Sequence, residues 1–288
     1  MIAQSRRIFY KIPLFYTPNL IMKKVYSIFL ILIIIIVAYA LQHMWLLPTP
    51  QGIRVLMYHK VSTDKTDYLT VSSSQLESHL QHIQDIGYQY ITCQQLLDFY
   101  DKKKPLPPNP ILLTFDDGYL NNLELAYPII KKFNAQATIF IPSNFVEKTN
   151  GWDNGDDPIM SVMQLKNLDP SVFERALHSH KHENYQKMSL QDIEKDIALN
   201  IAFFEKNNLP FTPVLAYPFG GRPSGKAFQT LVQVFKNKNI KAAFRIGNGV
   251  NPFTTNDLYQ LKRIDIRGSE SFDIFKKKLA KGRHQLIK

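Results

Sequence analysis

Short apolar segments alternate with longer amphipathic ones along most of this chain, and this alternation limits its fold more than any other feature. Arg54–His59, Ile111–Phe115 and Ala137–Ile141 have the length and apolar content of buried strands. The intervening segments have helical spacing, for example Gln75–Ile86 and Leu123–Phe133. Further strands are predicted at Tyr88–Thr92, Val214–Tyr217, Ala242–Arg245 and Leu261–Ile266, and further helices at Cys93–Tyr100, Met160–Leu168, Leu190–Asn207 and Ser271–Leu279. The alternation indicates an α/β fold with a parallel sheet, open or closed, and helices packed outside it.

An uncharged apolar run precedes these elements. Val25–Leu41 follows Lys23 and Lys24 directly and approaches the length of about 20 residues that crosses a bilayer. Cationic residues on its N-terminal side orient that end inward and the rest of the chain outward. The run is either a retained anchor or a signal peptide, for which Ala38-Tyr39-Ala40 offers a cleavage site.

This run divides the chain into three predicted parts. Residues 1–24 form a basic cytoplasmic N-terminus, residues 25–47 a signal peptide or membrane anchor, and residues 48–288 one exported domain. Because Met22-Lys23-Lys24 resembles the start of a signal peptide, Met1 and Met22 remain alternative starts. We expect the domain to be secreted or held at the cell surface, and the protein to act as a monomer.

Charge and cysteine content restrict the partners of the chain. The net charge is +11, which suits association with an anionic cell wall or membrane, or simply a solvated surface. No nucleic-acid recognition motif accompanies the basic surplus, so nucleic acid is not an expected partner. Cys93 is the single cysteine, so no disulfide can form within the chain, and the fold depends on its core, a bound metal or both.

Two adjacent carboxylates follow one predicted strand, in Thr114-Phe115-Asp116-Asp117-Gly118. Adjacent side chains at a strand end diverge, so one can bind a metal while the other faces a substrate. Chemistry in parallel α/β folds gathers at this end of the strands. The alternative is that the pair caps the following helix, because Asp favours helix N-termini.

A histidine cluster, His178-Ser179-His180-Lys181-His182, is the second polar signature. Histidines at i and i+4 share one face of a helical turn and can converge on one ion. His180 with His182 is an alternative pair if the segment is extended. An aspartate, two histidines and a water would form a catalytic zinc arrangement.

Two further segments end predicted strands. Ala216-Tyr217-Pro218-Phe219-Gly220-Gly221-Arg222 contains a turn that exposes backbone N–H groups beside a ring, which suits an oxyanion and a sugar face. Met57-Tyr58-His59 ends the first strand, at the same sheet edge as Asp116.

Together these segments resemble the polysaccharide deacetylase family, also called the NodB-homology family or carbohydrate esterase family 4, from about Arg54 to Ile266. The resemblance implies a distorted (β/α) barrel. It places Asp116 as catalytic base and Phe219 as the donor of an N–H to the oxyanion. Asp117, His178 and His182 correspond to the metal ligands, with Zn²⁺ as first choice and Co²⁺ or Ni²⁺ as alternatives.

The segment Met57-Tyr58-His59-Lys60-Val61 resembles the branch that deacetylates poly-β-1,6-N-acetylglucosamine, a biofilm adhesin, and implies that His59 is the general acid. The chain departs from the family where Ala216 replaces an arginine that pairs with the catalytic aspartate. Arg222 or Arg263 is expected to replace it, and the alternative is that the pKa of Asp116 differs from the usual. A late Leu-x-His motif is also missing.

The expected function is therefore hydrolysis of N-acetyl groups on this extracellular polymer. Tyr119, Phe219 and Trp152 are candidates for sugar stacking, with ordinary packing as the alternative for each, and Arg222 is a candidate substrate contact. Peptidoglycan or chitin is the alternative substrate. A non-catalytic polysaccharide-binding surface protein is the alternative of another class.

Overall fold

The structure is a computed structural model that describes residues 18–46, 49–101 and 104–283. The chain divides into two compact units between Thr49 and Pro50. In the first unit, helix α1 (Pro18–Leu46) contains the apolar stretch Met22–Tyr39, whose mean hydropathy of 2.1 and length suffice to cross a membrane. Most of the predicted basic N-terminus, residues 1–17, lies outside the described residues.

The second unit alternates strands and helices. Its strands are β1 (Arg54–Tyr58), β2 (Lys60–Ser62), β3 (Thr70–Ser72), β4 (Gln89–Ile91), β5 (Pro110–Phe115), β6 (Ala137–Ile141), β7 (Phe173–Leu177), β8 (Val214–Ala216), β9 (Ala242–Ile246) and β10 (Leu261–Asp265). Its helices are α2 (Ser73–Asp85), α3 (Cys93–Tyr100), α4 (Tyr127–Lys132), α5 (Val162–Asn167), α6 (Leu190–Lys206), α7 (Gly225–Asn237) and α8 (Phe272–Lys281).

Seven of these strands close into a parallel barrel. The order runs β1, β10, β9, β8, β7, β6, β5, and the pairing of β1 with β5 completes the ring. Strand β5 pairs along its length with β1, and its other edge is shared, because Ile111 and Leu112 pair with β4 while Leu113 to Phe115 pair with β6. The predicted parallel sheet with helices outside is confirmed, in its closed form.

Two apolar layers stabilise the barrel. Alternate strand residues such as Val55, Leu112 and Phe140 cluster with one another inside the ring. Their neighbours along the strands, such as Leu56 and Leu113, pack with helix residues in an outer layer. Burial on both faces is typical of parallel strands and explains their continuous apolar runs.

Strand β7 was not evident in the sequence because charged residues interrupt it. Glu174 accepts hydrogen bonds from the backbone N–H groups of Cys93 and Gln94 at the start of α3. Arg175 donates to the carbonyl oxygen of Leu165. Both charged side chains are therefore hydrogen-bonded to backbone groups at the barrel wall. A strand can form here without an apolar run, because its polar groups are not left unpaired.

The predicted helix Leu123–Phe133 begins instead as a π-helix, Asn122–Ala126, that continues into α4. Proline at position 128 has no N–H to donate to a preceding turn, which accounts for the change of hydrogen-bonding pattern. Such π-turns are frequent at functional sites.

The buried ring of His79 predicts a pH-dependent stability. This α2 residue stacks on Phe275 with ring centroids 3.8 Å apart, and burial lowers the pKa of His79 to about 3. In the unfolded chain the imidazole of His79 is protonated below about pH 6.5, whereas in the folded protein it stays neutral until about pH 3. The free energy of unfolding therefore decreases as the pH falls from 6.5 toward 3. We expect His79→Gln to remove about 2 kcal/mol of the stability difference between pH 7 and pH 5, measured by urea unfolding. The same change at the partly exposed His82 should matter less, and an unaltered slope in His79→Gln would contradict the prediction.

Candidate active site

The carboxyl ends of the barrel strands surround a cavity of about 350 Å³. Asp116 and Asp117 follow β5, His178 follows β7, and His59 follows β1. Their side chains meet here because every strand of the ring points the same way. Residues far apart in the sequence therefore share one rim.

Asp117, His178 and His182 converge at the base of this cavity. Oδ1 of Asp117 lies 3.3 Å from Nε2 of His178 and 3.1 Å from Nε2 of His182, and all three residues are buried. Within the described part of the chain, Asp117 Oδ1 has no well-angled hydrogen bond. A buried carboxylate oxygen facing two imidazole nitrogens is a donor set that fits a divalent metal ion.

The orientation of His178 also suits a metal ligand. Its Nδ1 lies 2.8 Å from the carbonyl oxygen of Ala216 and donates to it when protonated, which leaves Nε2 free to face Asp117. Burial alone would lower the pKa of His178, but Asp116 and Asp117 raise it. The carboxylates thus favour positive charge at this position.

The two histidines converge through a loop, which corrects the expected helical turn. Ser179 and His182 have left-handed backbone angles, with φ of 68° and 55°, and the N–H of His182 donates to Oγ of Ser179 at 2.8 Å. Asp117 is left-handed as well, with φ of 75°. Such conformations cost about 1–3 kcal/mol each and cluster at functional sites.

His180 does not join the cluster. Its Nδ1 lies 2.9 Å from Oγ of Ser143, on the far side of the loop. The alternative pair of His180 with His182 is therefore not the arrangement that the structure adopts.

Asp116 is paired with Arg263 of β10. Two guanidinium nitrogens lie 2.5 and 2.7 Å from the two carboxylate oxygens, and Arg263 is fully buried. Burial by itself raises the pKa of Asp116, but Arg263 and then His178 hold it below its usual value. Of the two candidate replacements for the family arginine, Arg263 is the one in place.

His59 lies beside this pair. Its Nε2 is 3.8 Å from Oδ2 of Asp116, and burial lowers the pKa of His59 despite both carboxylates. The side-chain amide of Asn122, in the π-helix, donates to the His59 carbonyl oxygen at 2.8 Å. The irregular helix start thus fixes the backbone of a residue at the cavity wall.

The aromatic candidates separate into two groups. Trp152 and Phe219 line the cavity, and their ring centroids are 4.3 and 4.9 Å from that of His182. Tyr119 is fully buried behind Trp152, so its predicted role in sugar stacking is wrong, and ordinary packing explains it.

Arg222 was also predicted at the site, as a substrate contact. The structure places it in a neighbouring cavity beside α7, where it donates to Oε1 of Gln260. Arg222 is bonded to Gln260 and does not line the cavity that contains Asp116, so the predicted substrate contact at Arg222 is wrong for the cavity described here.

Part of the cavity wall had no counterpart in the sequence prediction. Tyr68 comes from the loop between β2 and β3, and Asp265 and Arg267 come from the end of β10. Arg267 pairs with Asp265 at 2.6 Å and lies 4.2 Å from the Tyr68 ring centroid. The position of Asp265 and Arg267 at a strand end was a usable signal, whereas the loop position of Tyr68 gave none.

Fold and site together define a parallel β/α barrel with an Asp-His-His cluster beside a second, arginine-paired carboxylate, an arrangement suited to metal-assisted hydrolysis. Residues 103–243 match the family model described as polysaccharide deacetylase. The chain belongs to the polysaccharide deacetylase family, whose members are hydrolases of the amide bonds of N-acetyl groups.

Relatives and solved structures agree with this assignment. The chain is 27% identical over 212 residues to poly-β-1,6-N-acetyl-D-glucosamine N-deacetylase of Staphylococcus aureus, which covers 70% of each chain. It is 26% identical over 171 residues to YxkH of Bacillus subtilis, which covers 59% of this chain, and it spans 58% of that protein's length.

Two solved structures share the fold. IcaB from Ammonifex degensii superposes with a TM-score of 0.67 and 20% identity, covering 81% of this chain and 98% of the other. The deacetylase PplD of Streptococcus pyogenes gives 0.66 and 22%, covering 80% and 99%.

The convergence of Asp117, His178 and His182 predicts metal binding that depends on these side chains. Loss of a residue that only hydrogen-bonds to a metal ligand typically weakens metal binding by roughly 10–100-fold. Because His178 is itself a proposed ligand, we expect His178→Ala to weaken Zn²⁺ binding by more than this. Competition with a chromophoric chelator measures this. His180→Ala is the matched control in the same loop, and equal affinities of the two variants would contradict the ligand set.

The buried pair predicts a large cost when one partner is removed. We expect Arg263→Met to destabilise the metal-free fold by about 3–5 kcal/mol in urea unfolding, because Asp116 is left buried without its cation. Adding Asp116→Asn should restore part of that stability. The partly exposed Arg222→Met should cost only about 1 kcal/mol, and an equally small effect of Arg263→Met would contradict the prediction.

Proposed function

We propose that this protein is a metal-dependent N-deacetylase of an extracellular amino-sugar polysaccharide, with poly-β-1,6-N-acetyl-D-glucosamine as its substrate. The observation that carries the proposal is the juxtaposition of two carboxylates with different partners. Asp117 faces His178 and His182, while Asp116, the next residue, is held by Arg263. One carboxylate can bind a metal ion while the other, paired with an arginine, takes part in proton transfer.

Asp117, His178 and His182 would hold the metal. Such an ion, when bound, polarises a carbonyl and makes water more acidic. Asp116 is the base that accepts the proton of the attacking water. Because Arg263 keeps the pKa of Asp116 below its usual value, Asp116 is ionised and able to accept a proton near pH 7.

His59 protonates the departing amine. Burial lowers the pKa of His59, so its ring is neutral before the reaction begins. The proton that it transfers therefore comes from the reaction itself, taken from water by Asp116, whose Oδ2 is 3.8 Å from Nε2 of His59. The N–H of Phe219, at the turn after β8, is the proposed oxyanion donor.

The walls of the cavity suit a sugar. Trp152 and Phe219 present aromatic surface close to His182, and 56% of Phe219 is exposed to solvent. Apolar ring faces of this kind pack against the C–H faces of pyranose units. Together they would hold an acetamido sugar with its acetyl group toward Asp116.

The choice of polymer depends on relatives and on sequence. The Staphylococcus aureus relative is named for poly-β-1,6-N-acetyl-D-glucosamine. The early segment Met57–Val61, which contains His59, and the lack of a late Leu-x-His motif favour the same substrate over peptidoglycan or chitin.

The location of the protein belongs to the same proposal. Residues 1–24 remain cytoplasmic, residues 25–47 act as signal peptide or membrane anchor, and residues 48–288 act outside the cell. Support comes from Lys23 and Lys24 before an apolar stretch, Met22–Tyr39, that is long enough to span a bilayer. The polymer that the enzyme modifies lies on the same side of the membrane.

The decisive test measures free amine formed from acetylated β-1,6-glucosamine oligomers by the full-length protein in detergent with added Zn²⁺. We expect Asp116→Asn to lower kcat by about 10²–10⁴-fold and His59→Ala by a comparable factor, since each removes a proton-transfer group. Arg222→Ala, outside the cavity, should retain activity.

Full activity in Asp116→Asn would refute the mechanism. Preference for β-1,4-linked oligomers would reassign the substrate to chitin or peptidoglycan. Binding of oligomers without release of acetate would leave only a polysaccharide-binding protein.

A further inference from the structure

A buried carboxylate lies under the loop that joins the two histidines. Asp196, in helix α6, is 3% exposed. It accepts hydrogen bonds from the backbone N–H groups of His180 and Lys181, both at 2.9 Å, and from the hydroxyl of Tyr185 at 2.8 Å. The first two donors are neighbouring amides near the centre of the loop.

This loop has a backbone that needs outside support. The left-handed angles at Ser179 and His182 are disfavoured for residues with a side chain. They bend the chain sharply enough to bring His182 back beside His178, whose ring centroid is then 5.0 Å from that of His182. If the bend relaxed, the two imidazoles would separate.

The loop is held on two sides, and on one of them the acceptor is a carboxylate. On one side, the N–H groups of Ser143 and Asn144 donate to the carbonyl oxygens of Ser179 and His180 at 3.3 and 3.0 Å, and Oγ of Ser143 lies 2.9 Å from Nδ1 of His180. These bonds involve no carboxylate. On the other side, both oxygens of Asp196 receive loop amides. Hydrogen bonds to a carboxylate are roughly twice as strong as neutral ones, so Asp196 is the stronger of the two restraints.

We propose that Asp196 is a positioning residue for the metal site, which holds the loop so that His178 and His182 face Asp117 before any ion binds. The inference rests on the ligand set of the proposed function. It adds a residue that contacts neither metal nor substrate and that acts through the His180 and Lys181 amides. Partners of this kind typically change metal affinity by about 10–100-fold.

The test compares Asp196→Asn with the wild-type full-length protein in the metal-free state. Asparagine turns one acceptor oxygen into an N–H donor facing a loop amide, so at least one bond is replaced by repulsion. We expect the Zn²⁺ dissociation constant, measured by chelator competition, to rise about 10–100-fold.

A matched control separates positioning from general stability. Asn200 lies one turn further along α6, is fully buried and donates to the carbonyl oxygen of Ile141 at 3.3 Å instead of to the loop. Asn200→Ala should lower the thermal midpoint and leave Zn²⁺ affinity within about two-fold of wild type. A folded Asp196→Asn protein with wild-type affinity would overturn the proposal.

A second measurement needs no variant. Amide hydrogen exchange of the metal-free wild type should show His180 and Lys181 protected, since their N–H groups are already bonded to Asp196. Exchange at the rate of an open loop would overturn the proposal, even if Asp196→Asn does not fold. Neither measurement depends on deacetylation. The role of Asp196 is therefore tested even if the protein lacks the proposed enzymatic activity.

Discussion

The pairing of β1 with β5 is the constraint on which the rest of the site depends. This contact turns a row of parallel strands into a ring, and a ring places the carboxyl ends of β1, β5, β7 and β10 around one opening. His59, Asp116, His178 and Arg263 belong to these four strands or to the residues directly after them. In an open sheet, β1 and β10 would lie at one edge and β5 far from them, and Asp116 could not reach Arg263.

Electrostatics explains why so many polar groups can be buried together. The candidate site combines two carboxylates, three imidazoles and one guanidinium, nearly all out of contact with water. Each anion has its own partner: Arg263 for Asp116, and the two imidazoles for Asp117. A buried charge without a partner would cost several kcal/mol, so the neighbours of each carboxylate are part of the fold as much as of the chemistry.

Much of this architecture can be predicted from the sequence, because the spacing and the content of apolar residues indicate which segments are buried. The apolar runs at Arg54–His59 and Ile111–Phe115 identify strands, and polar residues directly after them identify the rim. Strand Phe173–Leu177 could not be predicted in this way, because the charged residues Glu174 and Arg175 interrupt it. Their side chains bond to backbone groups outside the strand, which the sequence does not reveal. The loop geometry around His182 was equally hidden, because left-handed angles at non-glycine residues leave no compositional mark. Tyr119 and Arg222 were misplaced because a residue type does not reveal which way a turn directs it.

The guanidinium that pairs with Asp116 arrives 147 residues later in the chain, from the last strand of the ring. The ion pair therefore joins two segments that are separated by about half of the chain. Strand β10, which carries Arg263, also lies between β1 and β9, so the same segment completes the row of strands and supplies the cation for Asp116. A chain truncated before Arg263 would lack the seventh strand of the barrel and the cation that pairs with Asp116. The proposed catalytic base therefore depends on a segment near the far end of the domain.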